Sequence, residues 1–282
     1  MSWLVLTLLS VFISSAATIL QRVLMRDDTS NPYSYTVIFH FLLGFLVLIF
    51  GLLKGSNFSF FSGNIYLLFL AAVLWGLCQV FLFKALQLVE ASELIIVSGL
   101  RVVITIVASI VFLNQIFTGW NALGAALILA ATFLVVKLGK SFRFDMGLLY
   151  TLAMTVFGGL AIVVDSANVQ HYDVLAYSTF SNFLSGFFIL AFYPKALLQW
   201  RQFVRPNFLT KMLPLVVCSA TQGVLYLLAL TYGGNTAQVG TIRQASVIVT
   251  VLLAVIFLKE RGDLGRKLAA AVLVTAGVIL LS

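Results

Sequence analysis

Arg101 is the residue with the most distinctive chemistry in this chain, because it lies inside a long apolar segment. The segment begins near Ser92, nine residues earlier, so as a helix it would carry Arg101 roughly 13 Å along its length, near the middle of a bilayer. A guanidinium at that depth costs about 2.5 to 3.5 kcal/mol. We therefore expect it to meet a carboxylate or phosphate ligand in a cavity. The alternative is a fixed pair with backbone carbonyls, Glu90 or Glu93.

Two aromatic and amide pairs recur at the same spacing. Trp75 and Gln79 are four residues apart, as are Gln222 and Tyr226, and this spacing places each pair on one helix face. Aromatic walls with a few amides hold small organic molecules by stacking and hydrogen bonds. The alternative is that the amides bridge neighbouring helices.

His40 and Asn182 are two further polar candidates inside apolar segments. A histidine can titrate near neutral pH and take part in proton coupling, or it can form a hydrogen bond between helices. Asp165, His171 and Asp173 cluster near the outer ends of two predicted spans, where they would form an entrance or a solvated loop. We expect no acidic residue in the middle of a span, which argues against obligate ion coupling.

Arg243 and Lys84 are expected to be boundary charges. Arg243 lies about two turns into its predicted span, close enough to the outer face for its side chain to extend to water. Lys84 lies one turn from an inner helix end, and Glu90 and Glu93 flank the following turn. We expect these three charges to form pairs or to reach water.

The elements that must position these residues are transmembrane helices. The chain is 62% hydrophobic and 9% charged, with a mean hydropathy of +1.11, whereas about a quarter of the residues in globular domains are charged. Roughly 20 apolar residues cross a bilayer as a helix. This predicts an all-α integral membrane protein with ten spans, at residues 3–21, 35–53, 64–88, 92–113, 119–138, 146–165, 172–193, 211–232, 236–258 and 264–281.

The basic residues predict how the spans are oriented. Connectors one, five, seven and nine hold thirteen of the 17 Lys and Arg residues, whereas the opposite side holds Lys54. Cytoplasmic loops carry an excess of Lys and Arg, so the odd connectors should be cytoplasmic and both termini non-cytoplasmic. The net charge of +8 is thereby explained by topology rather than by nucleic-acid binding. We predict a multi-pass protein of the inner, or plasma, membrane whose partners are the lipid bilayer and a small-molecule substrate.

An internal repeat divides the chain into residues 1–140 and 141–282. Phe112-Leu113-Asn114-Gln115 recurs as Phe257-Leu258-Lys259-Glu260 at an offset of 145. Five spans in each half would place the second half upside down in the bilayer, as in many transporters. The alternative is coincidence between helices of similar composition.

At these residues the chain resembles the drug/metabolite transporter superfamily, and specifically its EamA-like branch of two five-helix repeats. The run Ile256-Phe257-Leu258-Lys259-Glu260-Arg261 matches the family pattern without its glycine, and Gln115 stands where the first repeat usually has Glu. The resemblance implies a basket in which spans one to four and six to nine surround a central cavity, while spans five and ten pack outside. Consistent with this, Ala122, Ala126 and Ala130 form a small-residue stripe that predicts close helix contact.

We therefore predict a secondary transporter that exports small organic metabolites such as amino acids by alternating access. A lipid-linked substrate carrier or flippase is the alternative, and an intramembrane enzyme is the third possibility. The chain has no Walker loop, HExxH, CxxC or GxSxG motif, so we expect no enzyme activity, cofactor or metal. We expect a monomer, with a homodimer as the alternative. The predicted substrate-binding residues are Arg101, Trp75, Gln79, Gln222, Tyr226, His40 and Asn182.

Overall fold

The protein is a bundle of helices in the computed structural model, which describes most of the chain. The described residues are 3–25, 31–113, 119–135, 145–199, 206–232, 242–243, 246–259 and 264–281. Regular structure in these ranges is helical, without a strand. The α-helices are α1 (Trp3–Met25), α2 (Pro32–Lys54), α3 (Ile65–Leu88), α4 (Ala91–Val97), α5 (Leu100–Leu113), α6 (Gly119–Val135), α7 (Met146–Asn168), α8 (Val174–Phe192), α9 (Pro206–Thr231), α10 (Ser246–Leu253) and α11 (Leu264–Leu281).

Three shorter elements accompany these helices. A 3₁₀-helix, Val169–His171, follows α7 and another, Pro194–Gln199, follows α8, while α10 continues as a π-helix, Ala254–Leu258. Six stretches of the described chain are long and apolar enough to cross a membrane; they lie in α1, α2, α3, α7 with its 3₁₀ extension, α8 and α9. An all-helical, multi-span protein is thereby confirmed. The count of ten spans and the inversion of the halves stay predictions, and part of the predicted span 236–258 lies outside the described residues.

Polar side chains define where several helices begin. Asn64 accepts hydrogen bonds from the backbone N–H groups at the start of α3, and Asp145 and Asp173 do the same for α7 and α8. These residues satisfy donors that the first helical turn leaves without partners. Asp173, predicted to belong to an entrance or a solvated loop, is therefore a helix cap.

The predicted span 92–113 is two helices rather than one. It is interrupted at Ser98 and Gly99, where the Gly99 N–H donates to the Ile96 carbonyl at 3.0 Å in a tightened 3₁₀-type turn. The Ser98 hydroxyl also donates to a backbone carbonyl, that of Ile95, at 2.7 Å. Serine competes with the backbone for hydrogen bonds and glycine is flexible, so this pair weakens a helix. The break places Arg101 in the first turn of α5.

The main helix contacts join the two halves of the chain. The most extensive pairs are α3 with α7, α6 with α11, α1 with α9 and α2 with α8, and further contacts join α5 with α7 and α1 with α10. If each helix is exchanged for its counterpart in the other half, the same set of pairs results. In this exchange α1 corresponds to α7, α2 to α8, α3 to α9, α5 to α10, and α6 to α11.

Helices α6 and α11 meet along a face other than the predicted alanine stripe. Ala122, Ala126 and Ala130 are exposed, so the expectation that they form a close helix contact is wrong. The contact face instead brings Gly277 of α11 against Gly124 of α6, where a Cβ added at Gly277 would lie 2.7 Å from the Gly124 carbonyl oxygen. Two glycines allow the backbones to approach more closely than alanines do.

Candidate functional site

The guanidinium of Arg101 lies directly on the backbone of α7. A Cβ added at Gly158 would lie 2.8 Å from both Cζ and Nε of Arg101, and one added at Gly159 would lie 3.1 Å from the Arg101 carbonyl oxygen. Thr105, one turn further along α5, donates to the Gly159 carbonyl at 3.2 Å. The two glycines therefore form a flat seat that admits both the first turn of α5 and the arginine side chain.

Arg101 has few partners in this position. Its Nη2 lies 3.9 Å from the Cys78 sulfur, a weak acceptor, and its Nε is buried without a hydrogen-bond partner. Among the described residues no carboxylate forms an ion pair with it, and Glu90, one of its expected structural partners, pairs with Lys267. The Nε donor of this partly buried guanidinium is thus left unfilled, and the planar fork of such a group suits a carboxylate or phosphate.

Asp165 is a buried carboxylate near the end of α7, which corrects its expected place at an entrance or in a solvated loop. It is 5% exposed, and each oxygen accepts one hydrogen bond: Oδ2 from Trp75 Nε1 at 2.7 Å and Oδ1 from the Tyr177 hydroxyl at 2.6 Å. Helix α7 extends three residues beyond the predicted end and turns Asp165 towards α3 and α8. His171, by contrast, is exposed, so the three residues of the predicted cluster have separate environments.

Trp75 and Gln79 follow each other on one face of α3, as their spacing predicts. The indole N–H of Trp75 donates its hydrogen bond to Asp165. Gln79 is buried, and its Nε2 has no hydrogen-bond partner. Cys78, which contacts Arg101, lies between them in the sequence. Helix α3 therefore presents an indole, a thiol and an amide with an unused donor.

Gln222 and Tyr226 on α9 both contact Arg243. The Arg243 Nη2 donates to Gln222 Oε1 at 2.7 Å, and its Cζ lies 4.2 Å from the centre of the Tyr226 ring. This corrects the expectation that Arg243 extends outward to water, because an amide acceptor and a cation–π contact hold it against α9 instead. The sequence feature that could have indicated an inward-facing Arg243 is the presence of an arginine within an apolar segment.

These groups belong to one region of the bundle. Tyr226 is close enough to Arg101, Asp165 and Arg243 to interact with each electrostatically, and Tyr177 is close to Asp165, Tyr172 and Tyr226. Along α7, Gly158 and Asp165 are seven residues apart on the same face, so the Arg101 seat and the carboxylate are roughly 10 Å apart. We call this region the polar cluster; it consists of Trp75, Arg101, Asp165, Tyr177, Gln222, Tyr226 and Arg243.

His40 and Asn182 form a second polar group between α2 and α8. The His40 Nδ1 lies 2.9 Å from Asn182 Oδ1, and Asn182 Nδ2 donates to the Ser178 carbonyl at 2.7 Å. The other ring nitrogen of His40 is buried without a hydrogen-bond partner. Within the described part of the chain, no hydrogen bond joins this pair to the polar cluster. These two predicted site residues thus bind each other.

The expected boundary charges find partners inside the protein. Lys84 donates to the Tyr33 hydroxyl at 2.9 Å, and its ammonium lies 4.5 Å and 5.2 Å from the ring centres of Tyr33 and Tyr150. Glu90 pairs with Lys267, which is buried. Among the described residues no group of three or more His, Cys, Asp or Glu side chains is arranged to hold a metal ion.

Comparison with known proteins gives a family match and a match to a solved structure. The sequence model of the EamA-like transporter family matches residues 1–137 and, a second time, residues 145–282. A solved structure described only as the crystal structure of a protein is similar to 98% of this chain over 96% of its own length, with a TM-score of 0.66 and 16% identity. At that identity the similarity concerns the fold alone. No curated protein matches the chain by sequence.

Proposed function

The chain belongs to the EamA-like transporter family, and on this premise we propose that it is a secondary transporter of small organic metabolites that carry an anionic group, such as amino acids. Export across the cytoplasmic membrane is the proposed direction. The substrate would bind in the polar cluster, between the two halves of the chain.

The observation that carries this proposal is the unfilled guanidinium of Arg101. It lies in the interior of the bundle on a glycine seat, with a buried Nε that lacks a partner and a thiol as its hydrogen-bond acceptor. Such a charge is expensive in a membrane unless something compensates it. A substrate carboxylate or phosphate supplies that compensation, and the planar fork of the guanidinium suits either anion.

The remaining predicted site residues would hold the rest of the substrate. Trp75 and Tyr226 offer aromatic faces in the same region as Arg101, and Gln79 offers an amide donor without a partner. Gln222 would act through Arg243, because its Oε1 accepts a hydrogen bond from the Arg243 guanidinium. His40 and Asn182 are proposed as a more distant polar wall, since they bind each other.

Alternating access is supported by the way the halves pack. The polar cluster draws Trp75 and Arg101 from the first half, residues 1–140, and Asp165 and Tyr226 from the second half, residues 141–282. A ligand held between halves whose contacts exchange symmetrically is exposed to either side by rocking one half against the other. We propose a monomer with both termini on the non-cytoplasmic side.

The test is a thermal-shift screen of purified protein in detergent against amino acids, nucleotides, sugars, lipid headgroups and cationic drugs. A ligand at a hundred times its Kd stabilises the folded state by about 2.7 kcal/mol. We expect an anionic class to stabilise the wild type. Arg101→Gln should weaken that binding by about thirtyfold, or about 2 kcal/mol, and Arg101→Lys should restore part of it. Lys54→Gln is the matched control, because it removes an exposed positive charge at the end of α2.

Three outcomes would contradict the proposal. An unchanged ligand shift in folded Arg101→Gln protein would exclude Arg101 from binding. Loss of folded protein in both Arg101 variants would assign the residue a structural role. Stabilisation by lipid headgroups alone would favour the lipid-linked carrier or flippase. Radiolabelled flux of the stabilising compound into proteoliposomes would then establish transport itself.

A further inference from the structure

We propose that Asp165 is a proton-binding site, and that its hydrogen bond with Trp75 transmits its charge state to the contact between the two halves. Its part in a transport cycle rests on the proposed function, whereas the binding of a proton to this carboxylate does not. Such a site goes beyond the family assignment, and it departs from the expectation that the absence of acids from the middle of the spans argues against obligate ion coupling.

The geometry identifies a carboxylate whose oxygens both accept hydrogen bonds but whose negative charge is not paired with a cation among the described residues. Asp165 is 5% exposed, and each of its oxygens accepts one short hydrogen bond, from Trp75 and from Tyr177. No Lys, Arg or His among the described residues forms an ion pair with it. A buried acid of this kind is stable as a carboxylate because of its donors, and stable as a neutral acid because burial penalises charge. Two accessible charge states are what a proton-coupling residue requires.

The ligand indicated by this geometry is a proton rather than a metal ion. Ions such as Ca²⁺ take six to eight oxygen ligands, but the groups directed at Asp165 are an indole N–H and a phenol O–H. Both present hydrogen atoms to the carboxylate and would repel a cation. No group of acidic, His and Cys side chains in the described part of the chain is suited to a metal.

The charged and titratable surroundings of Asp165 come from several helices. Helix α3 contributes Trp75, which does not titrate, and the 3₁₀-helix after α7 carries His171, which is exposed. Tyr177 and Tyr226 interact electrostatically with Asp165 directly, Tyr172 interacts with Tyr177, and Arg101 and Arg243 interact with Tyr226. The two arginines are the positive charges of this region, and both act on Tyr226.

Protonation must rearrange the hydrogen bonds. A hydronium ion from the aqueous side gives its proton to a carboxylate oxygen, which forms the acid O–H and leaves water. The new O–H requires an acceptor. The Trp75 indole can only donate, but the Tyr177 hydroxyl can turn and accept. The bond from Trp75 then loses its charge-assisted character, which makes such bonds roughly twice as strong as neutral ones.

This rearrangement acts between helices of different halves. Trp75 is on α3, Asp165 on α7 and Tyr177 on α8, and α3 with α7 is among the most extensive contacts of the bundle. Proton binding therefore weakens a tie between the halves, and proton release strengthens it. A transporter that rocks one half against the other would be coupled to protons through this tie.

The experiment needs no transported compound. Infrared difference spectra of the purified protein between mildly alkaline and mildly acidic buffer are recorded for the wild type, Asp165→Asn and Asp173→Asn. Asp173 is the matched control, because asparagine preserves its helix cap. In parallel, Trp75 emission is titrated in a protein whose other three tryptophans, Trp3, Trp120 and Trp200, are replaced by phenylalanine.

We expect acidification to produce a buried carboxylic-acid band and a change in Trp75 emission in the wild type and in Asp173→Asn. Both signals should be lost entirely in Asp165→Asn. Tyr177→Phe should keep the acid band but move it to higher frequency, because the acid has lost its acceptor. This variant also serves if Asp165→Asn does not fold.

Identical pH responses with and without Asp165, or an acid band that Tyr177→Phe leaves unmoved, would overturn the proposal. Either result would leave the transporter proposal intact, since neither signal depends on substrate. Conversely, failure of the Arg101 screen would not affect these signals.

Discussion

Arg101 and Asp165 are charged residues inside the bundle that differ in how many hydrogen-bond partners they have. Asp165 has a donor on each oxygen, so its charge is stabilised within the protein. Arg101 has a thiol contact and an Nε without a partner, and in the proposed function an anionic substrate supplies the missing partner. At the scale of single residues, the first should therefore matter chiefly for the conformation of the protein and the second chiefly for binding.

Two tyrosines near the end of α7 and the start of α8, Tyr172 and Tyr177, offer a matched comparison. The Tyr177 hydroxyl donates to the Asp165 carboxylate at 2.6 Å, whereas the Tyr172 hydroxyl donates to the Phe60 carbonyl at 3.0 Å. Hydrogen bonds to charged groups are worth about 1.5 to 3 kcal/mol and neutral ones about 0.5 to 1.5 kcal/mol. We expect Tyr177→Phe to cost about twice as much unfolding free energy as Tyr172→Phe, measured by denaturant unfolding in detergent above neutral pH. Equal losses would mean that Asp165 is not ionised there.

At the scale of elements, a tight turn and a pair of glycines determine where Arg101 lies. The break at Ser98 and Gly99 starts α5 just before the arginine, and the flat face at Gly158 and Gly159 receives that first turn. Neither feature binds a ligand itself. Together they set the depth and direction of the guanidinium, so small changes in them should alter binding without touching the charged group.

The two glycines should respond differently to the same substitution. In Gly158→Ala the new Cβ meets the end of the Arg101 side chain, which can move, so we expect little change in stability and a weaker anion-induced thermal shift. In Gly159→Ala it meets the Arg101 carbonyl oxygen at 3.1 Å and Ile104 Cγ2 at 2.9 Å, so we expect a loss of about 1 to 3 kcal/mol from overpacking. Thermal unfolding with and without ligand separates the effects. The reverse pattern would show that the seat does not position Arg101.

At the scale of the whole molecule, the distribution of basic residues predicts the orientation of the bundle. With odd connectors inside, Lys211 near the start of α9 should face the cytoplasm and Thr231 at its end should face outward. Both side chains are exposed. In intact cells, a membrane-impermeant maleimide should label Thr231→Cys but not Lys211→Cys until the membrane is permeabilised. The wild type, with Cys78 buried and Cys218 partly buried, gives the background, and the opposite labelling would reverse the topology.

The sequence predicts the helices better than it predicts their contacts. Hydropathy places most of the described helices near their observed ends, because an apolar segment of spanning length has few alternatives to a helix, but it merges α4 and α5 into one span. Arg101 was identified because a charge in such a segment is conspicuous. Asp165 was not, because its partner Trp75 is 90 residues away in sequence and its burial depends on how α7 turns against α3. Arg243 was located, but its inward direction depends on Gln222 and Tyr226 of α9.

The pairing of helices across the halves also bears on how the protein is made. The main partners of α1, α2 and α3 are α9, α8 and α7, all of which are translated later. At about 5 to 20 residues per second, the first half would wait in the bilayer for on the order of ten seconds before those partners are inserted. During that interval the guanidinium of Arg101 has no glycine seat and Trp75 has no carboxylate. The apolar helices of the first half are stable in lipid, but its polar side chains lack their partners. Membrane chaperones and proteases would therefore recognise this protein most readily while only its first half has been inserted.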